Sequence, residues 1–151
     1  MANYSVPIED MMFLFDKLRD NPHYNSLEKY KEVNPELAKD ILEQAAKITE
    51  NLILPLAKAG DETPAKLENG VVKTPPGYKE AYKKFIDDGW VSLSCDPEYG
   101  GQGMPKTISS FFDEMLSAAS LSFKLYSELS IGAYNCIHRH GNDSIKKKYL
   151  P

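Results

Sequence analysis

Glu128 is the residue of this 151-residue chain whose chemistry most demands an account. It lies among Leu125, Tyr126, Leu129 and Gly132 in a segment, Ser122 to His140, that is apolar on every helical face, with Lys124 the only other charge before His138. A lone carboxylate buried there costs several kcal/mol, so Glu128 must be ion-paired, face a wet cavity or emerge at the surface. If the segment lines a ligand cavity, Gly132 one turn further on leaves room for a substrate to pass close to the backbone. A salt bridge or a solvent-facing position explains the carboxylate equally well.

Other candidates carry less. Gly100-Gly101-Gln102-Gly103 is followed by no lysine-serine or lysine-threonine pair and is not flanked by a strand-turn-helix pattern, so it does not read as a phosphate loop. His138 and His140 are two apart and project from different helix faces, which argues against a shared metal; at a helix C-terminus their cationic forms suit the dipole. Cys95 and Cys136 are too few for a disulfide framework or a zinc site and read as reduced thiols. No Gly-x-Ser-x-Gly elbow and no helical Glu-x-x-His pair is present.

The elements that would position these residues are helical. Ser5-Val6-Pro7 opens an amphipathic helix over about 7–19, with Ile8, Met11, Met12, Phe15 and Leu18 at helical spacing, and Asn21-Pro22 ends it. A shorter helix is expected around Ser26 to Val33. Asn34 caps and Pro35 starts the next, whose stripe Leu37, Ile41, Ala45, Ile48 and Leu52 runs to about residue 58, with a kink expected at Pro55. Residues 60–77 form a long connection with a tight turn at Asn69-Gly70, to be read as a lid or a wrapped strap. A helix over about 78–88 ends at Gly89.

Between Gly89 and Pro105, the residues Pro97, Tyr99, Gly100, Gly101 and Gly103 make a corner whose glycines admit positive φ and whose prolines fix it, hence a rigid backbone path. Ile108, Phe111, Phe112, Met115, Leu116 and Ala119 then form an amphipathic helix. The helix over 122–140, apolar all round, is expected to be central, covered by the others or by a partner. Asn142 or Asp143 caps a last short helix. The fold class is all-α, an orthogonal or up-down bundle of about six helices, with strand hints only at Val71-Val72 and Val91-Ser92-Leu93.

Composition narrows the function classes. The length suits one domain, and hydrophobic and charged fractions of 42% and 26% are ordinary for a globular protein. No apolar run reaches the roughly 18 residues of a membrane helix, and the N-terminus lacks the order of a secretory signal, so the expectation is a cytoplasmic protein without a membrane span. A net charge of −4, with basic residues scattered, argues against nucleic acid.

The order Gly89-Trp90, then Asp96-Pro97-Glu98-Tyr99-Gly100-Gly101-Gln102-Gly103-Met104-Pro105, then an amphipathic and an apolar helix, then Gly141-Asn142-Asp143 and Lys147-Lys148-Tyr149-Leu150-Pro151, resembles the N-terminal helical domain of the acyl-CoA dehydrogenases. Tyr4, Pro7, Asp10, Met11, Phe13 and Leu14, together with Glu50 to Leu56 and Asn69 to Val72, resemble a larger bacterial subgroup that includes the methylmercaptopropionyl-CoA dehydrogenases. The resemblance divides the chain into extension helices over 1–33 and the helical domain over 34–151, packing as one unit.

It implies a flavoenzyme reaction, in which a glutamate removes the proton α to a thioester carbonyl and a hydride passes from the β carbon to FAD. In such enzymes the base lies in a C-terminal helical domain and most flavin contacts come from a middle β-domain. This chain would then be an N-terminal piece without the catalytic base, expected to be inactive and to hold no FAD by itself. The resemblance places Leu125, Glu128, Leu129 and Gly132 on the helix lining the inner end of the acyl pocket, where small residues permit a longer or bulkier acyl group. Its implied partners are an acyl-CoA substrate, an electron-transfer acceptor and further copies in a homo-oligomer. Two other classes stay open: a non-catalytic helical interaction module, which should show a polar surface where an enzyme domain shows an apolar patch, and a ligand-carrying bundle, which needs a closed cavity around Glu128.

Overall fold

The computed structural model describes residues 4–151, with the side chain of Lys29 left out. Helix α1 (Ile8–Arg19) buries Met11, Met12 and Phe15 against α4 (Pro35–Ile48), the two meeting along their apolar stripes. Its start differs from the expected cap. Pro7 is the N-cap and no side chain caps the helix. The Ser5 hydroxyl instead reaches Glu50 Oε1 at 3.2 Å, and the Val6 N–H donates to the same oxygen at 2.7 Å, tying the chain's approach to the turn that follows α4.

Asn21-Pro22 ends α1 and also opens a helix, because Asn21 Oδ1 accepts from the His23 N–H at 2.9 Å and proline fits the first position. So α2 (Pro22–Ser26) precedes α3 (Glu28–Lys31), where a single helix around 26–33 was expected. At α4 the cap is as the sequence implies, with Asn34 Oδ1 accepting from the Leu37 N–H at 2.8 Å. Pro55 does not interrupt that helix. A π-helical turn at Thr49–Ile53 carries α4 into α5 (Leu54–Glu62), loosening the hydrogen-bond ladder one turn before the residue that lacks an N–H.

Residues 60–77 are neither lid nor strap. Helix α5 continues through Gly60, where an added Cβ would stand 2.3 Å from the Tyr78 hydroxyl. Strands β1 (Lys66–Glu68) and β2 (Val71–Lys73) then pair antiparallel around Asn69 and Gly70, at φ of 50° and 78°, the left-handed pair a two-residue hairpin turn needs. Every residue of both strands is exposed, so the hairpin is not packed into the core of the described residues. The other strand hint, Val91 to Leu93, forms turns.

Helix α6 (Tyr78–Asp87) buries Ala81 and Phe85 and stops at Gly89 (φ 78°). The Gly89 N–H bonds to Ile86 O at 2.8 Å and the Trp90 N–H to Phe85 O at 3.1 Å, the paired closure that a left-handed glycine permits. Helix α7 (Lys106–His140) is broken at Ser120, whose φ of −161° and ψ of 93° leave the helical region. Its first half buries Ile108, Phe112, Met115 and Leu116 in a core shared with α1, α4 and α6. Helix α8 (Asp143–Tyr149) is capped by Asn142, whose Oδ1 accepts from the Ile145 N–H at 3.0 Å. The architecture is all-α, with residues 4–33 in the same core as the rest.

The second half of α7 corrects the sequence reading. It is not a central helix of this chain. Only Phe123 and Ser127 are buried beyond Ser120, while Leu121, Leu125, Tyr126 and Leu129 are 54%, 49%, 61% and 80% exposed. Tyr126 meets the Tyr82 ring of α6 edge-on at 4.8 Å, while Leu125 and Leu129 remain largely uncovered by the described residues.

Candidate functional site

The glycine corner is stitched to itself by its backbone. Gly100, Gly101, Gln102, Gly103 and Met104 donate their N–H groups in turn to Pro97 O, Asp96 O, Ser92 O, Cys95 O and Leu93 O, all within 2.9–3.1 Å. Asp96 Oδ1 accepts from the Glu98 N–H at 2.9 Å and caps the short 3-10 turn Pro97–Tyr99. Gly100 (φ 84°) and Gly103 (φ 69°) take the left-handed positions. At Gly101 the requirement is space, since an added Cβ would stand 2.2 Å from the Cys95 carbonyl. These five successive amides are used within the corner and do not point outward to cradle a phosphate.

The corner is fastened to the end of α7. Tyr134 accepts the Asp96 N–H at 2.7 Å, His138 Nε2 lies 3.2 Å from Asp96 Oδ2, and Tyr134 stacks on His138 at 5.4 Å. Tyr99 meets the His138 ring edge-on at 5.9 Å. Burial raises the Tyr134 phenol above its ordinary pKa, opposed by the hydrogen bond from Asp96. His138 therefore serves this fastening, and no group of His, Cys, Asp or Glu among the described residues is arranged for a metal. Neither cysteine forms a disulfide among the described residues, Cys95 being buried and Cys136 exposed.

A cleft of about 200 Å³ opens between the corner and the two halves of α7, and it contains two of the four residues singled out from sequence, Glu128 and Gly132. Leu125 and Leu129 are not in it; they lie on the exposed outer side of the same helix. Trp90, Val91 and Ile131 give the cleft apolar walls, and Trp90 is held by Phe112 at 5.0 Å. Glu128 is paired with Lys124 at 2.7 Å, the lysine side chain 13% exposed and the glutamate 49%. Opposite stands Asp113, 3.9 Å from Lys106. Burial pushes the Asp113 carboxyl above its usual range and Glu128 adds to this, against the pull of Lys106 and Lys124.

Ser109 and Ser127 also line the cleft, but each hydroxyl donates back to its own helix, to Lys106 O at 3.0 Å and Lys124 O at 3.2 Å. The cleft is thus apolar on one side and, on the other, polar with balanced charge. Lys124, Asp113 and Trp90 escaped the sequence reading. The four-residue spacing of Lys124 and Glu128 is the signal that finds the first, since it places the two side chains on one helix face.

The sequence model of the acyl-CoA dehydrogenase N-terminal domain matches residues 35–151, the whole of the bundle from α4 onward. The chain belongs to that family. A 3-methylmercaptopropionyl-CoA dehydrogenase of Ruegeria pomeroyi is 38% identical over 147 residues, covering 97% of this chain and 25% of that protein. A broad-specificity linear acyl-CoA dehydrogenase of Mycobacterium tuberculosis is 23% identical over 150 residues, covering 97% of this chain and 24% of its own length. The chain therefore spans about a quarter of the curated relatives it matches. Within the acyl-CoA dehydrogenase N-terminal domain as this chain builds it, both matches run through the α1–α3 region as well as the bundle. No helix among the described residues is long and apolar enough to cross a membrane.

Proposed function

We propose that this chain supplies one wall of the acyl pocket of a dehydrogenase acting on acyl-CoA thioesters, and that the second half of α7 is that wall. The observation that supports the reading is the apolar side of α7, with Leu125 and Leu129 half or more exposed, running beside the cleft at Glu128 and Gly132. A helix so apolar gains nothing from water, and it suits contact with an alkyl chain or with another part of a longer protein. The Ruegeria relative is named for a short thioether acyl group, which agrees with a thioester substrate here.

FAD is assigned to the remainder of that longer protein. The glycine run does not fit the flavin's pyrophosphate, since the amides of Gly100 to Met104 donate within the loop. No residue of this chain is given the role of base. What these residues do is orient the acyl group and exclude water from its flank. Residues 1–151 by themselves are expected to show no turnover, and an electron acceptor and further copies of the protein are the partners that follow.

An interaction module would carry polar residues where Leu121, Leu125 and Leu129 are exposed, and a ligand-carrying bundle would enclose Glu128, which is half exposed instead. The test is turnover of a panel of acyl-CoA thioesters by the whole protein with a redox dye as acceptor. Dehydrogenation, reduced by Leu129→Glu, is the expected result; no turnover of any thioester overturns the reading.

A further inference from the structure

We propose that Asn69 is a site of spontaneous covalent modification, deamidated through the Gly70 backbone nitrogen, and that the isoaspartyl product releases the hairpin of β1 and β2. Deamidation of this kind needs a carboxamide that nothing holds, followed by a backbone nitrogen that its carbon can reach. Asn69 meets both needs where the other described asparagines do not. Asn21 and Asn34 each accept a backbone N–H and precede proline, which has no N–H of its own. Asn142 Oδ1 accepts from the Ile145 N–H at 3.0 Å, and Asn25 Nδ2 donates to Arg19 O at 2.7 Å. Asn51 and Asn135 lie inside helical turns, where the nitrogen of the next residue belongs to the ladder. Asn69 and Gly70 are exposed, and the Asn69 carboxamide has no hydrogen-bond partner among the described residues. The register closes Glu68 on Val71 around Gly70 without using the Gly70 N–H. Glycine also puts no side chain in the path of the attack.

The chemistry consumes only water. The deprotonated Gly70 nitrogen bonds to Cγ of Asn69, the Cγ–Nδ2 bond breaks, and ammonia leaves with a proton from solvent, closing a succinimide. Water then opens the ring at either carbonyl. Opening at Cγ restores the ordinary backbone with aspartate at position 69. Opening at the backbone carbon yields isoaspartate, in which the chain runs through the β-carbon. Aspartate tolerates the left-handed φ of 50° that residue 69 holds, so it keeps the turn. Isoaspartate adds a methylene to a two-residue turn whose fit sets the register Lys66↔Lys73, Leu67↔Val72 and Glu68↔Val71. Three-residue strands exposed along their whole length have no core contact to hold them once that turn is lost, and the opposed lysines repel.

The whole protein is aged at mildly alkaline pH, both native and unfolded in urea, and then digested with trypsin. The peptide Leu67–Lys73 carries Asn69 as its single side-chain amide. Exchange of its amino group for a hydroxyl, split between two chromatographic forms of equal mass, reports aspartate and isoaspartate. This gain is expected in native protein at a rate comparable to that in urea, and ahead of every other asparagine peptide. A native rate far below the unfolded one, or no gain at all, overturns the site. Hydrogen exchange across residues 66–73 reads the release. Aged protein is expected to split into a protected and an unprotected population, the second matching the isoaspartyl fraction, while fresh Asn69→Asp protein stays protected. A single population that persists as isoaspartate accumulates, or no protection in fresh protein, overturns the release. Neither readout involves turnover of a thioester, so both stand apart from the acyl-pocket reading.

Discussion

The phenol oxygen of Tyr134 accepts the backbone N–H of Asp96 at 2.7 Å across 38 residues of sequence, and that bond joins the glycine corner to the far end of α7. The stack of Tyr134 on His138, and the contact of His138 with Asp96 Oδ2, make the junction a three-residue unit. Tyr134→Phe keeps the ring and the stack but removes the acceptor. A loss of about 1 kcal/mol is expected, read from the urea midpoint, and an unchanged midpoint would mean that the corner holds its shape without α7.

Two glycines should behave in opposite ways. Gly101→Ala drives a methyl into the Cys95 carbonyl, 2.2 Å from the ideal Cβ, and backbone cannot yield as a side-chain tip can. About 3 kcal/mol of destabilisation is expected. An ideal Cβ at Gly132 meets nothing within 4 Å and lies inside a helix, so Gly132→Ala should stabilise by about 0.5–1 kcal/mol. Thermal melts of the two variants, shifting in opposite directions, check the pair.

Thr49 opens the π-helical turn with its Oγ1 buried and without a hydrogen-bond partner among the described residues. Thr49→Val replaces that hydroxyl by a methyl of the same shape. Stability should rise by about 1 kcal/mol. A lower denaturation midpoint would show that the hydroxyl is bonded in solution.

Asp113 carries a pH prediction. Its carboxyl is raised chiefly by burial, so the folded state holds this proton more tightly than the unfolded chain does. The stability it contributes is then full below the unfolded carboxylate pKa and is lost as pH rises through the raised folded value. Asp113→Asn, without a charge at any pH, should therefore match the natural protein in acid and exceed it at neutrality. The gain should stay below about 0.5 kcal/mol, since the side chain is 46% exposed and solvent screens it. Melting temperatures compared at about pH 3 and about pH 7 decide it; a larger gain in acid contradicts the assignment.

Local signals were legible where a single backbone rule governs. Asn34-Pro35 at a helix start, Gly89 at a helix end and Asn69-Gly70 at a turn each do in the structure what their residue types dictate. Asn21-Pro22 shows the weakness of such rules, because the same dipeptide that stops one helix starts the next. Burial was less legible. The apolar stretch over 122–137 announces that something covers it, but hydropathy does not say what, and among the described residues Leu125 and Leu129 stay exposed. At the cleft, Glu128 stood out as a charge among apolar neighbours. Asp113 did not, because a charge on the polar side of an amphipathic helix carries no sign of what will be folded against it.

The break at Ser120 separates two kinds of constraint along one helix. Before it, Ile108, Phe112 and Met115 are fixed by the core, and changing any of them is felt throughout the domain. After it, Leu125 and Leu129 contribute little to holding the chain together, so they can be exchanged at small thermodynamic risk. A helix jointed in this way lets a lineage alter the face it presents without rebuilding what keeps it folded.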